Sequence, residues 1–219
     1  NSSYALTKSD REDGSFSEFI TRTPIAQIYN EDGSYSRYIN SNNDVNPFYR
    51  AENYKREIST NSYRLNVFLE LKPFKGFNYR LNTSFYNREQ EDGEAKGVNY
   101  PGGGATAKLT DREDRSYLIE NIFTYNVPIK DQKHKLTITA VQSVDHKQTK
   151  QLGYATDQLP VDMDWNFIAN GQFTGSPIRS FTENNLVSFM GRASYILMDR
   201  YIMNVAVTVS YTHLRAHET

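Results

Sequence analysis

The feature that most constrains this chain is an apolar–polar alternation of period two, repeated in paired segments. In "RLNVFLELK", Leu65, Val67, Leu69 and Leu71 point one way. Arg64, Asn66, Glu70 and Lys72 point the other, with Phe68 the exception. After "PFKG", Phe77, Tyr79, Leu81, Thr83 and Phe85 share a face opposite Asn78, Arg80, Asn82 and Ser84. Pro73 and Gly76 suit a short turn, so the stretch reads as a β-hairpin. A second pair places Tyr117, Ile119, Phe123, Tyr125 and Val127 on one face, then Leu136, Ile138, Ala140 and Val144 after "PIKDQKH". Leu118 and Ile122 fall on the polar side. A third pair has Val187, Phe189, Gly191, Ala193, Tyr195 and Leu197, then Tyr201, Met203, Val205 and Val207 after "MDR". No stretch shows the 3.6-residue period of an amphipathic helix. This pattern predicts about six strands of 9–13 residues, and up to eight if residues 1–8 and 48–58 each add one.

The connections alternate in length. Short turns are expected near 72–76, 128–134 and 198–200, and long polar connections over 9–61, 87–115 and 147–183. A short–long order of this kind belongs to outer-membrane β-barrels, whose strands alternate apolar outward and polar inward. Tyr63, Phe77, Phe85, Tyr117, Tyr125, Tyr195 and Tyr201 are expected near strand ends, where such barrels carry aromatic girdles. A soluble β-sandwich alternates too, but its turns usually recur every 8–12 residues, which the three long connections fit poorly.

Composition agrees with β-structure that has one apolar and one wet face. The 219 residues include 16 Tyr and 12 Phe, too many aromatics for a disordered chain, yet mean hydropathy is −0.71. The net charge of −1 offers no nucleic-acid-binding surface. The absence of cysteine excludes disulfides, thiolate metal sites and cysteine nucleophiles. The opening "NSSYALTKSDREDG" has neither the basic nor the apolar region of a secretion signal. Both ends are expected to be those of a piece of a longer protein.

The stretch "NNLVSFMGRASYILMDRYIMNVAV" resembles a segment of the SusC/RagA family of TonB-dependent outer-membrane transporters, of the form L-x-S-x-x-G-R-x-x-Y-x-x-x-D-R-Y. Leu186, Ser188, Gly191, Arg192, Tyr195, Asp199, Arg200 and Tyr201 match it. Weaker similarities are "NPFYRAEN", "ELKPFKGFNYRLN" and "IENIFTYN" followed by "KHKLTITAVQS", where Ala140 or Val141 stands in place of the usual Gly. The resemblance implies an all-β fold: part of an antiparallel transmembrane barrel of about 22 strands closed around a plug. Residues 1–208 would form an open curved sheet cut from it. It further implies import of oligosaccharides or peptides across the outer membrane. A SusD-like lipoprotein would assist from outside and TonB would drive uptake from inside, through parts of the protein not present here. No cofactor and no enzymatic activity are implied. Asp199 and Arg200 would make a polar turn flanked by Tyr195 and Tyr201, and Gly191 would let a neighbour approach closely. The alternatives are a TonB-dependent siderophore or cobalamin receptor, and a soluble carbohydrate-binding β-sandwich.

Candidate binding residues lie in the long connections. Tyr154, Asp162, Asp164 and Trp165 are the candidates for substrate contact. Trp165 is the chain's single tryptophan and could stack on a sugar or pack its loop. Asp162, Asp164 and Asn166 have the 1-3-5 spacing of a calcium loop, but Phe167 stands where such a loop needs Gly, so they read as a polar loop and no metal site is expected. "PGGGATAK" lacks Walker spacing and reads as a mobile loop. His134 and His146 are expected at opposite ends of one strand, too far apart to share a metal. Acidic residues in "DREDG" and "DREDR" are scattered, and nothing selects a catalytic pair or triad.

The tail raises a separate matter. His213 and His217, with Glu218 adjacent, look like a small site. Yet Val209 to Thr219 can be back-translated, codon by codon, into a transposase-type sequencing adapter. Residues 209–219 are therefore expected to be non-native, and the join with the preceding strand at Thr208 to be accidental.

Overall fold

The computed structural model describes residues 2–11, 27–40, 42–131 and 133–218, excepting the side chains of residues 2, 8, 10, 11 and 216–218. It is an all-β, antiparallel open sheet. The strands are β1 (Ser2–Arg11), β2 (Tyr54–Leu71), β3 (Phe77–Lys96), β4 (Thr106–Val127), β5 (His134–Asp157), β6 (Gln172–Phe173), β7 (Ile178–Leu197) and β8 (Tyr201–Glu218). The order across the sheet is β1-β2-β3-β4-β5-β7-β8, with the two-residue β6 also pairing with β5. Apart from β6, each strand therefore lies beside the next in sequence, and β1 and β8 are the two edges. A sandwich would need a second sheet packed on the first; the described strands form one.

The hairpins and short turns appear where the alternation puts them, but the strands are far longer than 9–13 residues. β2 has 18 residues, β3 20, β4 22, β5 24 and β7 20. Much of the second and third expected long connections is strand. The second shrinks to residues 97–105 and the third to 158–177, which holds β6 and a 3-10 helix (Trp165–Asn170). The reason is that a ladder needs paired backbone groups, not apolar side chains. Segments such as "NREQEDGEAK" are polar on both faces and still pair, residue for residue, with β2 and β4.

Two smaller expectations also change. Residues 48–58 do not add a separate strand. They hold a short helix, α1 (Pro47–Glu52), and the start of β2. Asn46 caps α1 by accepting from the Phe48 N–H at 3.1 Å, and its fully buried amide donates to the Ile28 and Ser36 carbonyls. Pro47 at the first helical position fits because its missing N–H would be unpaired there. Because β5 runs on to Asp157, His146 lies in mid-strand and not at its end.

Register sorts the side chains into two faces. Leu71, Tyr79, Phe123, Ala140, Gly191 and Val207 form one row across six strands. Val67, Thr83, Ile119, Val144, Val187 and Tyr211 form another on the same face. This apolar face takes up about 9–11 residues of each long strand, the length of a tilted transmembrane strand. Aromatic residues mark both limits. At one, Phe74 stacks on Phe77 at 4.9 Å and meets Tyr125 edge-on. At the other, Tyr63 lies 5.8 Å from Phe85, and Tyr117 stacks on His146 at 4.7 Å. Tyr63, Phe85 and Tyr117 thus stand in mid-strand, where the apolar band ends and the strand continues.

Candidate functional site

The four candidate contact residues gather where connection 158–177 folds onto the upper ends of β3 and β4. Asp162 accepts from the Val98 N–H at 2.6 Å, which pins the connection to the residues after β3. Asp164 caps the 3-10 helix by accepting from the Asn166 N–H at 3.0 Å and lies 3.6 Å from Lys55 Nζ. Trp165 is 4% exposed. Its ring lies against the Gly93 backbone, with Lys55 Nζ 5.3 Å from the ring centre. Tyr154 faces Phe173 of β6 at 6.3 Å. Ala105, Ala107 and Leu159 make a small buried cluster beneath, with Met163 and Ile168 packed on it.

Of the two roles open to Trp165, stacking on a sugar or packing the loop, its placement is the packing one, because both faces are covered. Asp162 and Asp164 direct oxygens at backbone N–H groups rather than at a common point. Among the described residues no group of three potential metal ligands converges. The structure brings the four residues together where connection 158–177 packs on the strand ends. Ala105 at the end of "PGGGA" is buried there.

The polar face of the sheet offers a different kind of site. Above the apolar band it carries Arg64, Tyr86, Ser116 and Lys147 in one row and Ser62, Arg88, Asp114 and Thr149 in the next. Burial pushes the Asp114 carboxyl up. Hydrogen bonds from Arg112 and Thr149, together with the charges of Arg112 and Arg88, outweigh burial and hold it below the usual range. Arg56 grips Asp92 with two bonds of 2.8 and 2.6 Å, and this hydrogen-bonded partner raises the guanidinium pKa further. Lower down, Ser143 and Ser188 share a hydrogen bond at 2.6 Å. The apolar exceptions of the sequence also resolve here. Phe68 lies under the Arg80 guanidinium at 4.8 Å. Ile122 is in register with Val141 and Met190, a short apolar strip on an otherwise polar wall.

The family-like motif lies on β7, β8 and their turn. Leu186, Ser188 and Arg192 face the polar side, and Arg192 donates to Asn204 at 3.3 Å. Met198 and Asp199 both have positive φ, 54° and 56°, and the Arg200 N–H closes the turn on the Leu197 carbonyl at 3.0 Å. Asp199 also pairs with Lys135 at 2.6 Å, and Met198 N–H bonds to the Lys133 carbonyl, so adjacent short turns are tied together. Tyr195 bonds through its hydroxyl to His134 at 2.5 Å, and Tyr201 is exposed at the start of β8. Gly191 behaves otherwise than expected. No atom lies within 4 Å of a Cβ built on it, so no neighbour approaches closely. Its register partner is Ala140, and the two small residues leave a notch of about 430 Å³ between Phe123 and Phe189.

β8 continues through residues 209–218, pairing Val209 with Phe189 and His213 with Asn185. Any alternating segment can form such a ladder, so the pairing carries no information on the origin of these residues. His213 is exposed.

Arg64, Tyr86, Arg88 and Asp114 were not singled out from the sequence. Their signal is the parity of the alternation carried past Phe85 and Tyr117 into the charged runs, which assigns alternate charges to alternate faces.

No protein-family model and no curated protein sequence matches this chain. Solved structures do. A structure of the RagAB peptide transporter is similar over 83% of this chain and 21% of its own, with TM-score 0.72 and 16% identity. A structure of the RagAB peptide importer in an "open-open" state is similar over 86% of this chain and 22% of its own, also with TM-score 0.72 and 16% identity. At that identity the likeness is one of fold. The chain spans about a fifth of the length of the structures it matches.

Proposed function

We propose that this chain is a section of the barrel wall of an outer-membrane TonB-dependent transporter of the SusC/RagA kind. The complete protein imports oligosaccharides or peptides with a SusD-like lipoprotein outside and TonB inside. The carrying observation is the division of one sheet into two faces. An apolar face about 9–11 residues tall, bounded by aromatics at both limits, suits lipid. The opposite face, with Arg64, Arg88, Asp114, Ser143 and Ser188, suits a wet interior. The long strands continue past the band on the side of the long connections, as strands reaching out of a membrane do. The fold likeness to a peptide transporter and the motif from Leu186 to Tyr201 support the same reading. The protein's role is passage, not catalysis.

The test uses the full-length polypeptide that carries this segment. It should fractionate with outer membranes, migrate anomalously on gels when unheated, and co-purify with a lipoprotein encoded beside it. A soluble product without heat-modifiable migration refutes the proposal. Residues 209–219 are proposed to be adapter-derived; resequencing the source DNA with a different library chemistry should replace them with another sequence.

A further inference from the structure

Above the apolar band the two faces of the sheet differ in charge. Glu57, Glu89, Glu91, Asp111 and Glu113 continue the apolar face together with Lys55, Arg115, Lys150 and Arg179, whereas Arg56, Arg64, Arg88, Arg112 and Lys147 stand on the polar face. The carboxylates of the polar face are already engaged. Asp92 holds Arg56, Asp114 accepts from Arg112 and Thr149, Asp145 lies 3.0 Å from Lys147, and Glu94 lies 3.9 Å from Lys96. That leaves Arg64 and Arg88, besides Lys108 nearer the strand end. Among the described residues, neither arginine has a carboxylate oxygen within ion-pair distance.

Both guanidinium groups are held by neutral partners around one tyrosine. Arg64 lies over the Tyr86 ring at 4.9 Å, and Arg88 donates to the Gln90 side chain at 2.6 Å. Tyr86 is in register with Arg64 and with Ser116, and Arg88 with Ser62. Arg64 and Arg88 are thus diagonal neighbours, about 7–8 Å apart at the backbone. Ser62, Ser84 and Ser116 around them are small; Arg64 is exposed and Arg88 half-buried.

We propose that Arg64 and Arg88, on either side of Tyr86, bind the carboxylate of a solute moving along the polar face. The guanidinium fork matches a carboxylate with two parallel hydrogen bonds, and Tyr86 orients one fork in advance. Asp114, across from Arg88, is hydrogen-bonded by Arg112 and also feels the Arg88 charge, but one carboxylate faces three guanidinium groups, so the patch keeps a net attraction for an anion. This site rests on the transporter reading and adds a substrate class to it: solutes bearing a carboxylate.

The experiment measures binding to the purified full-length polypeptide by calorimetry. The probes are tetra-alanine as the free acid, the same peptide as its C-terminal amide, and digalacturonate as a second source of carboxylate. The wild type should bind free acid about tenfold more tightly than amide. R64Q/R88Q should lose that preference and keep its affinity for the amide, and R64K/R88K should recover only part of it. Because Arg64 is exposed, R64Q alone serves if the double variant does not fold, and should lower the preference several-fold. Tighter binding of either carboxylate probe, abolished by R64Q/R88Q, supports the site. An equal preference in wild type and R64Q/R88Q, or none in the wild type, overturns it. A polypeptide that is heat-modifiable in outer membranes and takes up the amide without preferring the acid overturns this site alone. A polypeptide that is not heat-modifiable there overturns the transporter reading with it.

Discussion

The indole of Trp165 rests on the backbone of Gly93, so closely that a Cβ at position 93 would fall inside the ring's van der Waals envelope. A residue in connection 158–177 thereby reads the absence of a side chain near the C-terminal end of β3, seventy-odd positions earlier. Glycine in a strand interior ordinarily weakens it, and here it opens the bed for a buried aromatic.

Gly93→Ala should therefore displace Trp165. Overpacking of this kind costs about 1–3 kcal/mol. Tryptophan fluorescence reads it directly, since Trp165 is the chain's single tryptophan: the emission should shift to the red in G93A. An unshifted spectrum with unchanged stability would contradict the packing role.

The capping of connection 158–177 by Asp162 can be separated from the tryptophan. Asp162→Ala leaves the Val98 N–H without its 2.6 Å acceptor. The expected loss is about 1 kcal/mol or less, because this N–H is exposed and water replaces the carboxylate. Hydrogen exchange at Val98 should quicken while exchange in β4 near Ile119 stays unchanged.

The apolar face contains a chain of polar side chains. The Tyr79 hydroxyl donates to Asn121 Oδ1 at 2.7 Å, and Asn121 Nδ2 donates to Gln142 Oε1 at 2.6 Å. Asn121→Leu leaves two polar groups unpaired there and should cost about 1–3 kcal/mol. N121L/Q142L, which removes one of the orphans, should be less destabilised than N121L alone. Folding titrations in detergent give both values, and strictly additive costs would mean that the chain of bonds is uncoupled.

Opposite faces of β8 should respond differently to charge. Val205 lies on the apolar face and Asn204 on the polar face, where it accepts from Arg192. In the intact barrel Val205→Arg should cost about 2–4 kcal/mol if it lies mid-membrane, and Asn204→Arg far less. Equal costs would refute the assignment of faces.

The lowered Asp114 pKa has a definite sign. A carboxyl with a folded pKa below its unfolded value contributes stability that is fully present above the unfolded pKa, about 3.9. The contribution is lost as pH falls through the folded value. D114N should therefore flatten the acid limb of the stability curve below about pH 4 relative to wild type. Parallel acid limbs in the two proteins would show that Asp114 gains nothing from Arg112 and Thr149.

Much of the fold was legible because its signal is local. Leu65 to Leu71 and Phe77 to Phe85 declare a hairpin by parity and by the Pro73–Gly76 turn. The β7–β8 turn at Met198–Arg200 was legible from the break in alternation around "MDR". The strand ends were not. Beyond Phe85 and Tyr117 the ladder is mostly polar on both faces, with only Ala95, Ala107 and Leu109 near its far end, so the alternation stops being visible while the pairing goes on. Trp165 was ambiguous for a different reason: an aromatic in a loop has the same sequence signature whether it is covered or open.

By itself, the sequence determined which side of each strand is apolar and where the tight turns fall, since both follow from residues two to four positions apart. The tertiary structure alone decided how far each strand extends, because backbone groups of a neighbouring strand satisfy a polar segment as well as an apolar one. It alone placed Trp165 on Gly93. Among the described residues it also left Arg64 and Arg88 without a carboxylate at ion-pair distance while engaging Asp92 and Asp114 nearby. Those relationships depend on register between strands, and register is a property of the assembled sheet.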